Sequence, residues 1–139
     1  MSLNLRQLSP REIGTREAGL DLAAHLAGVP RRMAMDDVQA LYDALLDVDQ
    51  PPPEALMAAG FGFAEQIVAA SDFEWAQVSD DEFGEETCVA APKHEIYCSP
   101  ISMIQKRLEQ RERLSLAELR DATIATLRRR IENGMAAER

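Results

Sequence analysis

PPPEALMAAGFGFAEQIVAASDFEWAQV, residues 51–78, decides the fold, because the spacing of its apolar residues changes partway along. Leu56, Gly60, Phe63 and Ile67 recur at three- and four-residue steps, with Met57, Ala64 and Val68 beside them. That is one face of a helix over about 53–70. Pro53 suits its first turn, where a missing N–H costs nothing. Phe73, Trp75 and Gln77 then alternate with Glu74, Ala76 and Val78, which is the two-residue period of a strand. Gly60 and Gly62 are poor helix formers, and we read them as places where another backbone comes close rather than as a hinge.

Upstream, Ser9-Pro10-Arg11-Glu12 is a capping box with proline at the first helical position. It opens a helix carrying Ile13, Leu20, Leu22, Ala23 and Leu26, stopped near Gly28 and Pro30. Asp36-Asp37-Val38-Gln39 starts a second helix on Val38, Leu41, Tyr42, Leu45 and Leu46. Downstream, Asp80-Asp81-Glu82-Phe83-Gly84 reads as a turn with Gly84 free to take a positive φ. Two further strands, Thr87–Ala91 and Glu95–Cys98, flank a Pro92-Lys93 turn that pairs Cys88 with Tyr97. Ser99-Pro100 and the capping box at Ser115 open two last helices. The final one carries Leu116, Leu119, Thr123, Leu127 and Ile131 and ends at Asn133-Gly134. The expectation is α+β: three N-terminal helices, a three-stranded antiparallel meander and two C-terminal helices, all in one domain, 1–139.

The segment 60–127 resembles a family of small bacterial domains with no assigned function. The likeness lies in the helix with Gly60 and Gly62, then Trp75-Ala76-Gln77-Val78 with acids after it. It continues through Gly84, the Ser99-Pro100 helix start and Lys106-Arg107-Leu108-Glu109 before an apolar helix. The resemblance implies an α+β fold and carries no catalytic residues.

Charge is unevenly laid out. Residues 1–32 carry a net +2, residues 33–98 a net −14 and residues 99–139 a net +3, for −9 in all. That disfavours nucleic acid, whose phosphates need basic surface. No apolar run is long enough to span a membrane, and Met1-Ser2-Leu3 is given no functional weight. Without a visible export signal a cytoplasmic location is expected, with Cys88 and Cys98 as free thiols.

Catalytic and metal motifs are thin, and neither a cofactor nor a metal is expected. The acids around Asp80–Glu86 do not follow a calcium-loop spacing and read as a solvated turn. His25 reads as a partly buried structural residue, and His94 is not aligned with Cys88 for nucleophilic chemistry. Arg128-Arg129-Arg130 fans around a helix rather than forming a stripe. Two function classes follow. The first is a binding module offering an acidic face, Asp36, Asp43 and Asp47, to a basic protein partner, as an immunity or adaptor protein does. The second is a ligand-binding protein or enzyme with a pocket between the sheet and the glycine-bearing helix, lined by Phe61, Phe63, Trp75 and Tyr97. Trp75 is expected to be largely buried.

Overall fold

The computed structural model describes residues 3–81 and 84–137. In chain order these form β1 (Leu3–Arg6), α1 (Pro10–Ala27), α2 (Met35–Leu46) and α3 (Pro53–Ala69). Then come β2 (Glu74–Asp80), β3 (Gly84–Ala91), β4 (Ile96–Cys98), α4 (Pro100–Glu109) and α5 (Leu116–Ala137). The fold is α+β, with five helices and a four-stranded antiparallel sheet in the order β1-β2-β3-β4.

The fourth strand corrects the expected three. β1 pairs along the free edge of β2, with Leu5 opposite Val78 and Arg6 opposite Gln77. Four residues are too few for a period to declare itself, so partner geometry decides such an edge strand rather than local pattern. Its last residue then fastens the next element. Arg6 donates to both carboxylate oxygens of Glu12, at 2.6 and 2.8 Å. Glu12 in turn accepts from the Ser9 N–H at 2.8 Å, while the Ser9 hydroxyl accepts from the Glu12 N–H at 3.2 Å. The expected capping box therefore exists and is tied to the sheet edge.

α3 is the centre of the molecule and packs against α1, α2, α4 and α5. It is buried nearly all round, not along one stripe: Ala55, Ala58, Ala59, Phe61, Phe63, Ala64 and Ile67 are all buried. The two glycines differ. A Cβ on Gly60 would lie 2.8 Å from the Ile101 Cα and 2.9 Å from its carbonyl oxygen, so the α4 backbone rests directly on α3. A Cβ on Gly62 would meet only side chains, the nearest being the Met33 methyl at 3.2 Å. The close-approach reading thus holds at Gly60.

The strand period sorts the sheet into two faces. Trp75, Val89, Ile96 and Cys98 pack with the helices. Ala76, Val78, Cys88 and Ala90 form a small cluster of their own, flanked by Leu5 and Tyr97. The two cysteines therefore sit on opposite faces, both free. Burial pushes each thiol up to about 12.

Several expectations are corrected by turn and helix chemistry. Pro92–His94 form a 3-10 turn, and Glu95 takes φ +53°, so the connection is longer than Pro92-Lys93. This shifts the pairing by two residues, and Ala90 rather than Cys88 faces Tyr97. His94 stands exposed in that turn, away from buried Cys88. Gly84 does take φ +82°, while Glu82 and Phe83 of the same acidic turn lie outside the described residues. His25 is exposed, because it leaves α1 on the side away from Ala23 and Ala24. α5 runs through Asn133-Gly134, whose exposed positions meet no neighbour that would end the helix. α2 begins one residue before Asp36, with Asp37 accepting from the Ala34 N–H at 2.9 Å. No described helix is long and apolar enough to cross a membrane.

Candidate functional site

Gly28, at φ +72°, closes α1 in the left-handed conformation that glycine adopts without strain. The chain reverses through Pro30 and delivers Arg31 and Arg32 beside α1. Gln66 on α3 fixes this loop by donating to the Met33 carbonyl at 2.9 Å. Between α1, the loop and the C-terminal half of α3 lies an open hollow of about 480 Å³. Arg16, Arg31 and Arg32 supply its cationic wall; Glu65, Gln66 and Trp75 supply much of the rest.

Trp75 is half-buried, not largely buried as expected. One reason is its position: β2 carries it to the rim of this open hollow. Its ring stacks on Phe61 with centroids 6.0 Å apart and planes at 26°. The Arg16 guanidinium carbon lies 5.7 Å from the ring centroid, a cation–π distance. Arg16 Nη2 donates to Glu17 at 3.0 Å, and its Nε is buried without an acceptor. Arg31 reaches Glu17 as well and holds Asp21 at 2.7 Å. These cations, Arg16 foremost, hold the Glu17 carboxyl below its ordinary value, so it stays ionised. Among the described residues Arg32 is exposed and makes no ion pair or side-chain hydrogen bond. The hollow thus offers one uncommitted guanidinium, one unsatisfied buried N–H and an aromatic edge.

The expected pocket residues divide. Phe61 and Trp75 meet at this hollow, and Phe61 is otherwise core. Phe63 is fully buried and lines nothing open. Tyr97 belongs to the opposite face of the sheet. The expected acidic face is likewise partly engaged. Asp36 is exposed, Asp43 accepts from Gln39 at 3.0 Å, and Asp47 meets Arg113 at 3.5 Å. The loop after α4 leans on the same helix: Tyr42 donates to the Glu112 carbonyl, and Arg111 donates to the Leu46 carbonyl at 2.6 Å. Gln39 bridges the Leu114 carbonyl and the Leu116 N–H at 3.1 and 2.7 Å.

Arg16, Arg31 and Arg32 were not singled out by sequence. The available signal was the net +2 of residues 1–32 against the acidic middle, with Arg31-Arg32 placed just past a glycine–proline break. Among the described residues no cluster of three or more His, Cys, Asp or Glu is arranged to hold a metal ion.

No curated protein and no solved structure matches the chain. A family model described as "Domain of unknown function (DUF3806)" matches residues 37–119. That span runs from α2 into α5 and contains Trp75, Glu65 and Gln66, while the three arginines precede it. Since the match covers more than half of its length, the chain belongs to the DUF3806 family of domains of unknown function.

Proposed function

We propose that the chain is a ligand-binding domain that takes a small anion in the hollow between α1, the Arg31–Met33 loop and α3. The observation that supports this most is the convergence of Arg16, Arg31 and Arg32 around an open space of about 480 Å³ in a chain of net charge −9. Such a volume suits a small ligand, and guanidinium forks match carboxylate and phosphate oxygens. Arg16 and Arg31 are already oriented by Glu17 and Asp21, so little side-chain freedom is lost on binding. Arg32 supplies the charge not already spent inside the protein. No nucleophile or metal set accompanies it, and the reading stops at binding.

A basic protein partner docking on the acidic side of α2 is the competing reading. It is favoured by the exposure of Asp36 and the −14 of residues 33–98. It is weakened by Asp43 and Asp47 being held by Gln39 and Arg113.

Trp75 is the single tryptophan, so its fluorescence reports on the hollow directly. Titration with inorganic phosphate and with succinate at constant ionic strength should give a saturable change. Arg31→Gln combined with Arg32→Gln should remove it without altering the far-ultraviolet circular dichroism. A response that never saturates, equal in both proteins, overturns the proposal.

A further inference from the structure

The arginine hollow also carries a charge of the opposite sign that a plain anion leaves unanswered. Glu65 lines it from α3 and is half-buried. Among the described residues Glu65 makes no ion pair and no side-chain hydrogen bond. The neighbouring charges are paired off, Arg16 with Glu17, and Arg31 with both Glu17 and Asp21. What the described wall has left over is one guanidinium, Arg32, and one carboxylate, Glu65.

A single hydrogen bond sets where these two stand. Arg32 precedes Met33 and Glu65 precedes Gln66, and the Gln66 side chain donates to the Met33 carbonyl at 2.9 Å. The loop and α3 are thus tied together between the two charges, yet Arg32 and Glu65 form no ion pair with each other. From this arrangement we infer that the ligand is a small zwitterion, a free amino acid, with its carboxylate against Arg32 and its ammonium against Glu65. This ligand class rests on the anion-binding reading of the same hollow. Three features support it. A lone carboxylate beside an anion site repels the anion, and a ligand ammonium turns that repulsion into attraction. The buried Arg16 Nε has no acceptor, and the second carboxylate oxygen of the ligand would supply one. With the Gln66 nitrogen spent on Met33, its amide oxygen is left as a second acceptor for the ammonium.

The test compares L-leucine with isocaproate, which lacks only the ammonium, and with isoamylamine, which lacks only the carboxylate. Binding is read by Trp75 fluorescence and by amide shifts in nuclear magnetic resonance at fixed ionic strength. Leucine should bind about tenfold tighter than either, because each lacks one charge-assisted hydrogen-bonding group. The comparison is made first on the unmodified chain, so it does not depend on a variant folding. Glu65→Gln keeps the side-chain shape and removes the charge. It should bring leucine to within about twofold of isocaproate and leave phosphate binding equal or tighter, with the circular dichroism unchanged. Equal affinity for leucine and isocaproate, with both lost in the double arginine variant, overturns the zwitterion and leaves the anion site standing. A leucine preference that survives Glu65→Gln, or isoamylamine binding as tightly as leucine, also overturns the zwitterion. If neither phosphate, succinate, isocaproate nor leucine binds, the anion site itself is overturned.

Discussion

The middle and the C-terminal turns of α3 are built on opposite principles. Around Gly60 the helix is pressed against α4 so closely that a single methyl group would collide with the Ile101 backbone. At Glu65, Gln66 and Ala69 the same helix borders an open hollow lined by arginines. The middle is held by the close fit of backbones. The C-terminal turns are framed instead by the Gln66 hydrogen bond to Met33 and by Arg16 lying over Trp75. The lesson is a division along one helix: the backbone is clamped in the middle, and the open turns inherit a fixed frame.

The contrast breaks most readily at Gly60. Gly60→Ala should destabilise by about 1–3 kcal/mol, since backbone contacts at 2.8 and 2.9 Å must open and the gain in helix propensity only partly offsets this. Gly62→Ala on the same helix should be neutral or stabilising by up to about 1 kcal/mol, because the flexible Met33 tip can retreat. Urea denaturation of the pair measures both, and equal losses would erase the distinction between the two glycines.

A smaller effect concerns the start of α1, which Arg6 and Ser9 brace through Glu12. The Glu12 carboxyl is lowered to about 2 from an ordinary 4.5, chiefly by its hydrogen bonds from Arg6 and then from the Ser9 N–H. A lowered folded-state value stabilises the fold above the unfolded one. That stabilisation is complete above the ordinary 4.5 and is lost as pH falls from there through about 2. Solvent screening of this exposed pair keeps the contribution modest. Carboxyl resonances followed between pH 6 and 2 should show Glu12 titrating last, and Arg6→Ala should move it back toward 4.5 without fully restoring it. Glu12 titrating at its ordinary value in the unmodified protein would contradict the brace.

The smallest stability effect belongs to Arg32. Arg32→Ala should leave the urea midpoint within about ±0.5 kcal/mol, because the side chain is exposed and has no described partner. The same variant should weaken phosphate binding several-fold. A residue at the open end would then matter to binding and not to folding, the inverse of Gly60.

What could be read in the sequence was whatever a few neighbouring residues decide among themselves. The Ser9–Glu12 box, the positive φ of Gly84 and the helix after Pro53 are all of that kind. The strand β1 was not legible, because its only justification is the edge of β2 more than seventy residues away. The hairpin register was misread because Pro92 nucleates a 3-10 turn, and the longer loop moves the pairing by two residues. Trp75 looked like a core residue because alternation reports which face a strand residue takes, not how far the facing helices extend. The arginine wall was hidden for the same reason. Arg16 belongs to α1, Arg31 and Arg32 to the following loop, and only the packing of both against α3 makes them neighbours.

The placement of Cys88 and Cys98 on opposite faces of one sheet has a practical corollary. A thiol held at about 12 is almost wholly unreactive toward maleimides and iodoacetamide at neutral pH, since the thiolate is the attacking form. A cysteine introduced at an exposed position such as Ala69, on the rim of the arginine hollow, would therefore be alkylated long before either native one. The native chain needs no prior cysteine removal before a spin label or dye is attached beside its own hollow.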